Sequence, residues 1–391
     1  MLNGISHIIR GLMMKTNKQE RIIEIIVEIC AQVLFADKTW ASDYQLPELS
    51  VGEWEKLLSI ASMHGVLPVV MQLFEGRKVE NQDVRKVILK WYVIAQGNRQ
   101  HYQIRVQTIG ELAEMFAEEG MDMMVFKGAA LAQLYPTPEW RMFSDIDFYL
   151  YGEWKKGVEV MERHGIKNRP YYHHNTEATL HGVLLENHYD FVERLNHRLN
   201  LVLDDELKKM AQEEGRSMKA TFLNNHVENV YVMTPTMNAV FLMRHMSAHF
   251  VSESIPLRML NDWILFLKYH AKDVDWNRVT SLYEQSGMKE FVGIIMELIR
   301  QHYQIAFPDV PITPVANEHT DKVWESIVFP PDTNPHKKNS IHYFIYETKS
   351  FLGNRWKHKI VYAGESYFLL SLKYAWSVLK KKLGLLKVKE E

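Results

Sequence analysis

The chain has 391 residues, which at a typical domain size of about 150 leaves room for two or three structural units. Its 46 Lys and Arg against 48 Asp and Glu give a net charge of −2, which excludes a protein that relies on a strong global positive field for nucleic acid and leaves only local basic patches. Apolar residues at 47% and charged residues at 24% exclude a disordered chain, and a single cysteine, Cys30, excludes an intrachain disulfide or a cysteine-built zinc site.

The first 120 residues read as helix. Ile22, Ile26, Ile29, Cys30 and Val33 follow one helical face, with Glu24 and Glu28 on the other. Ser50 followed by Glu53 is a capping box ahead of a second apolar run. A third helix is expected from Asp83 to Glu119, with Gly120 as its cap and Gly97 and Gly110 as places where it can bend or divide. Met123 to Phe126 then reads as a short strand, Ala129 to Tyr135 as a helix stopped by Pro136, and Asp145 to Leu150 as a strand alternating with a period of two. A helix from Glu153 to His164 precedes strands around Gly182 between Tyr171 and Phe191, and another strand pair with Asn224-Asn225 near its turn is expected between Lys219 and Met233. Thr234-Pro235 opens a long helical region that runs to Glu297. Six of the 13 prolines fall between Pro308 and Pro335, which reads as a loop or linker, and helix returns from Tyr367. No run reaches the roughly 18 to 20 apolar residues of a membrane span. The opening stretch, broken by His7 and Arg10, precedes no small-residue cleavage site. The expectation is a soluble, cytoplasmic protein.

The chemistry concentrates between Phe126 and Leu150, FKGAALAQLYPTPEWRMFSDIDFYL. Residues two apart in a strand share a face, so Asp145 and Asp147 present two carboxylates together, a repulsion most readily offset by a divalent metal. Lys127, Gly128 and Ala129 stand where a strand becomes a helix, a place where backbone can approach phosphate closely. Arg141 can add a forked donor to phosphate oxygens, and Ser144 adjoins the acid pair. A phosphate cradle beside paired acids is the equipment of phosphoryl or nucleotidyl transfer. The bland readings are an Asp-x-Asp pair at a solvated turn, a salt-bridged Lys127, an Arg141 that pins its loop to a core carboxylate, and an exposed Glu186.

These residues resemble the nucleotidyltransferase superfamily related to DNA polymerase beta. KGAAL, LYP, the arginine and SDIDF resemble, more closely, its poorly characterised bacterial nucleotidyltransferase family. The sequence departs from the usual motif at Ala129, where Gly or Ser is usual, and in the 15 residues between Ala129 and Asp145. The superfamily supplies a third carboxylate from a nearby strand. In VLLENHYDF, Leu184, Glu186, His188 and Asp190 alternate onto one face, and the family's acid-x-His pattern matches Glu186 and His188, with Asp190 the second candidate. RHMSAHF and PLRMLNDWILFL resemble the family's helical half, so the resemblance spans roughly residues 65 to 300.

The resemblance implies an α+β fold, a small mixed-sheet nucleotidyltransferase core flanked by N-terminal and C-terminal helical segments. The expected division is a helical region at 1–120, the core at 121–234, a helical domain covering the cleft at 235–306, and a Pro-rich linker with a helical tail at 307–391. It implies transfer of a nucleoside monophosphate from a nucleoside triphosphate to an acceptor (small molecule, sugar or protein) with loss of pyrophosphate. Asp145, Asp147 and Glu186 would hold Mg²⁺ or Mn²⁺, Glu186 would help deprotonate the acceptor, and Arg141 would neutralise the leaving group. Lys127, Gly128, Ala129 and Ser144 would hold the nucleotide, and the helices around Arg244, His245, His249 and Asp262 would cover the acceptor side. The alternative is a catalytically silent nucleotide-binding or scaffold protein that keeps the fold.

Two further features stand outside this reading. The spacing of His164, His173, His174, His181, His188 and His197 fits no common zinc pattern, and His245 with His249 lacks the Glu of a zinc protease. From Leu372 onward, six lysines interleave with apolar and aromatic residues, which suits either a docked helix with a solvated face or contact with an anionic membrane surface or nucleic acid.

Overall fold

The computed structural model describes residues 2–35, 45–170, 174–194, 197–223, 227–330 and 341–382. Helices α1 (Leu2–Phe35), α2 (Val51–Met63), α3 (Leu67–Met71) and α4 (Gln82–Glu118) come first. Ser50 and Glu53 form the capping box of α2, Ser50 N donating to Glu53 Oε2 at 3.0 Å. Gly120, at φ 66°, follows the end of α4, which runs unbroken through Gly97 and Gly110. Neither glycine divides it, and a Cβ at either position would meet nothing within 4 Å.

The middle of the chain builds a mixed six-stranded sheet from β1 (Met123–Phe126), β2 (Asp145–Tyr149), β3 (Arg169–Pro170), β4 (Asn175–Leu180), β5 (Val183–His188) and β6 (Val230–Val232), in the order β3-β4-β5-β2-β1-β6. β1 pairs antiparallel with β2 and parallel with β6, while β2 pairs parallel with β5. The β4–β5 hairpin turns at His181 and Gly182, both at positive φ, the backbone a two-residue hairpin requires. Between Lys219 and Met233, where a strand pair was expected, the structure has β6 and an isolated bridge from Lys219 to Tyr231; Asn224-Asn225 lies outside the described residues.

Short helix α5 (Gly128–Ala132) joins β1 to the loop before β2, and α6 (Trp154–Arg163) and α7 (Arg198–Glu213) connect the later strands. Helices α8 (Pro235–Ser252), α9 (Leu257–His270), α10 (Trp276–Gln285) and α11 (Lys289–Leu298) follow, α8 capped by Thr234 with Pro235 in its first turn. The proline-rich stretch contains α12 (Glu318–Val328), started by an Asn317 cap that the prolines had obscured. Beyond it come α13 (Ile341–Gly353), α14 (Arg355–Val361) and α15 (Tyr367–Lys382), of which the first two were not anticipated.

Each face of the sheet is covered. Ile146, Phe148, Val125 and Leu185 pack with Ile109, Leu112 and Phe116 of α4 and Val160 and Met161 of α6. On the other face, Phe126 and Tyr149 join one large cluster with Leu203 and Leu207 of α7, Phe241 of α8, Trp263 of α9 and Ile23 and Ile26 of α1. Burying one such aliphatic side chain stabilises by about 1.5–3 kcal/mol. The result is an α+β fold, a mixed sheet flanked by helices. Alternation along β2 puts Asp145 and Asp147 on the face shared with α8, at the end of the sheet where β1 hands over to α5.

Candidate active site

Register sets the site. Asp147 stands opposite Phe126 on β1 and Glu186 on β5, and Tyr149 stands opposite His188. Asp147, Glu186 and His188 each offer a ligand atom, and these atoms lie within 4.8 Å of one another. His188 Nε2 lies 3.0 Å from Asp147 Oδ1 and 3.3 Å from Glu186 Oε2, and its Nδ1 lies 3.2 Å from the Asp190 carbonyl. Both ring nitrogens therefore face groups that only accept, which calls for the doubly protonated imidazolium. Burial works against that charge, but hydrogen bonds to Asp147 and Glu186 carry the His188 pKa above its ordinary value.

Lys127 donates to Asp147 Oδ1 at 2.6 Å from a strained backbone, φ 55° and ψ −122°, uncommon for a residue with a Cβ. Burial alone would raise the Asp147 pKa, yet Lys127 and His188 hold it far below the carboxylate range. Asp147 Oδ2 is buried with no hydrogen-bond partner among the described residues. Asp145 behaves oppositely: burial, then the Asp147 charge beside it, raise its pKa. A buried carboxylate oxygen with no partner among the described residues, with Glu186 across the register and Asp145 on the same strand, fits a hard divalent cation such as Mg²⁺ or Mn²⁺.

Asp145 opens onto a cavity of about 200 Å³ whose walls include Lys127, Gly128, Ser144, His245, His249 and Arg258. Gly128 is there for room: a Cβ would stand 2.8 Å from the Phe143 ring and 3.4 Å from the Asp145 carbonyl. Ala129 is buried in the apolar cluster on the far face of the sheet. Helix α5 is only five residues long, so side chains rather than a helix dipole dominate this end of the cavity.

Arg141 also lines the cavity, but its fork is occupied. Nε donates to Asp262 Oδ1 at 2.9 Å, Nη2 to Asp262 Oδ2 at 2.8 Å, and Nη1 to the Gly128 carbonyl at 3.1 Å. Tyr135 adds a hydroxyl to the same carboxylate at 2.9 Å. Arg141 thus ties the loop before β2 to α9 and to the turn at Gly128. Arg258, one helical turn before Asp262, is different. Among the described residues its side chain has no hydrogen-bond or ion-pair partner, and Gly65, at φ 70°, lies against its Nε. Burial, then the positive charge of Arg141, lower its pKa. A guanidinium at a cavity wall, with the charges of Asp262 and Asp145 near it but no hydrogen bond of its own among the described residues, suits an anion.

His245 and His249 stay neutral. Burial, followed by the charge of Lys127, pushes His245 well below the ordinary range, and burial with Arg258 brings His249 to about 4. Arg244 does not line the cavity; it donates to Ser247 Oγ at 2.7 Å and to the Tyr362 hydroxyl. Asp190 lies beyond the end of β5, where it pairs with Lys208 beside Asp204. Of the two acids that the sequence left open, Glu186 is the one beside Asp147. His188 and Arg258 are the residues that sequence reasoning did not assign; the first was legible in the Glu-x-His spacing, the second only as a helical neighbour of Asp262.

Comparison with known proteins adds one strong match. Residues 50–304, well over half of the chain, match a family described as uncharacterised nucleotidyltransferase. No curated protein matches the sequence. Among solved structures, the Megavirus polyadenylate synthase is similar at 12% identity and a TM-score of 0.31, over 59% of this chain and 52% of that one. A tRNA nucleotidyltransferase complexed with a primer tRNA and an incoming ATP analogue is similar at 16% identity and a TM-score of 0.22, over 71% and 87%. The chain spans about half the length of the polyadenylate synthase.

Proposed function

The chain belongs to this family of uncharacterised nucleotidyltransferases, and we propose that it moves a nucleoside monophosphate from a nucleoside triphosphate to a hydroxyl acceptor, with release of pyrophosphate. We assign it to the DNA polymerase beta-like superfamily on the Asp-x-Asp strand and its partner Glu186. The observation that carries the reading is the Asp-x-Asp strand, whose Asp147 leaves a buried carboxylate oxygen without a partner among the described residues while Asp145 opens onto the cavity that holds Arg258.

Asp145, Asp147 and Glu186 are the residues to hold Mg²⁺ or Mn²⁺. Such a cation supplies Lewis-acid polarisation of the reacting phosphate and eases deprotonation of the acceptor. Lys127 and Arg258 bind the phosphate oxygens, and Gly128 lets backbone come close to them. Glu186 takes the acceptor proton, and His188 orients Glu186 and Asp147 through its Nε2. Arg141 acts as a positioning residue: by holding Asp262 and the Gly128 carbonyl it fixes the distance between the phosphate loop and Arg258. Ser144, exposed at the cavity rim, is within reach of the sugar or base.

Thermal unfolding tests the binding half of this reading. ATP with Mg²⁺ should raise the melting temperature, by an increment that grows with ligand concentration over Kd. Asp145→Asn with Asp147→Asn should abolish the rise while the ligand-free protein stays folded. An undiminished rise in the double variant would rule the site out.

A further inference from the structure

Helix α15 shows its apolar stripe to the outside. It buries Leu370, yet Phe368 is 70% exposed, Leu369 58%, Leu372 53% and Trp376 57%. Phe368, Leu372 and Trp376 follow each other four residues apart on one helical face, with Leu369 beside them. In sequence the same stripe continues to Leu379 and Leu383. In the sequence from Leu372 onward these apolar residues are interleaved with lysines 373, 380, 381, 382, 387 and 389, and no acidic residue falls between Ser366 and Lys389. A helix meant to stay against its own protein hides such a stripe. Among the described residues no helix is long and apolar enough to cross a membrane.

We infer that α15 lies in the plane of an anionic lipid surface, Phe368, Leu369, Leu372 and Trp376 entering the acyl boundary while the lysines meet the headgroups. Charge selects this occupant. A second copy docked on the same face would bring two sets of six lysines together, and residues 383–391, whose Lys387 and Lys389 are balanced by Glu390 and Glu391, offer those lysines no net opposite charge. Nucleic acid would satisfy the lysines but leaves Leu369 and Leu372 with nothing to bury against. A bilayer with acidic headgroups meets both demands, and tryptophan favours that interface.

The test is co-sedimentation of the full chain with lipid vesicles. Vesicles of phosphatidylcholine with about a third phosphatidylserine should pellet the protein, vesicles of phosphatidylcholine alone should not, and raising salt from about 0.1 to 0.5 M should release it. Phe368→Glu with Leu372→Glu changes two exposed positions, so its melting temperature should match wild type while pelleting is lost. Replacing Lys380, Lys381 and Lys382 with Gln should weaken binding on the order of a hundredfold, at about fivefold for each lysine. Wild type that stays in the supernatant with acidic vesicles, or a glutamate variant that pellets as well as wild type, overturns the inference. So does a wild-type dimer that the glutamate variant dissolves, or capture by single-stranded RNA where vesicles fail.

Discussion

Arg141 and Arg258 stand on the same cavity wall, and their partners decide what each can do. Arg141 is 2% exposed and holds Asp262 with both arms of its fork, so Arg141→Lys leaves part of a buried carboxylate unmatched. Losing one charge-assisted hydrogen bond in this way costs about 1.5–3 kcal/mol, and urea denaturation should record a loss of that order. Arg258→Met removes a charge that has no partner, so the same experiment should show no loss. Calorimetric titration with ATP and Mg²⁺ should instead show affinity reduced by about tenfold or more, the scale of a lost charge-assisted hydrogen bond. The reverse pattern would return the phosphate role to Arg141. The two acids after β4 separate in the same manner. Glu186→Gln should lose turnover and keep nucleotide affinity, because its contribution grows toward the transition state. Asp190→Asn should lose stability through Lys208 and Asp204 and spare turnover. At this scale the sequence was informative wherever chemistry follows a period of two: Asp145, Asp147, Glu186 and His188 were all readable as faces of strands. Arg258 was not, because an Arg four residues before an Asp reads as a local pair. Only the fold reveals that Asp262 is already taken.

The elements that carry the site were legible where they announce their own ends. Ser50 with Glu53, Thr234 with Pro235, and Gly120 mark helix boundaries by local hydrogen bonding alone, and the structure keeps all three. Residues 308–330 misled for a physical reason: proline density signals a break but says nothing of a cap such as Asn317 between breaks. One contact between elements makes a pH prediction. His64, at the end of α2, accepts the Leu257 N–H at the start of α9 through Nδ1 at 3.3 Å, while its buried Nε2 has no partner among the described residues. Burial lowers its pKa from 6.5 to about 4. Above about pH 6.5 the ring is neutral in both folded and unfolded chains and adds no pH dependence. As pH falls from 6.5 toward 4 the unfolded chain takes up a proton that the folded chain refuses, so stability is lost across that window. His64→Asn keeps an acceptor without the titration. Its stability should therefore fall less steeply there, by about 1.4 kcal/mol per pH unit, in denaturation curves taken between pH 7 and 4. Equal slopes would show that His64 is protonated in the folded chain.

Across the whole molecule, helices from the beginning and the end of the sequence share one interior. Ile23 and Ile26 of α1 are fully buried in the same cluster as Trp263 of α9 and Phe126 of the central sheet. Contacts between residues more than two hundred positions apart leave no trace in local periodicity, which is why the sequence suggested segments in a row. Ile26→Ala should cost about 2–5 kcal/mol and lower the unfolding of sheet and helices together rather than releasing α1 alone. That interior sets Asp145 and Arg258 on one cavity, with Asp147 farther along the same strand and Glu186 opposite it on β5, and the claim that matters most is what this assembly transfers. The direct measurement gives the protein Mg²⁺, extract from its native host and each nucleoside triphosphate in two forms, labelled at the α- or the γ-phosphate. Nucleotidyl transfer predicts that α-label passes to an acceptor while γ-label leaves as pyrophosphate, and that Asp145→Asn with Asp147→Asn stops both. Transfer of γ-label to the acceptor, or no movement of either label with any of the nucleotides, would contradict it.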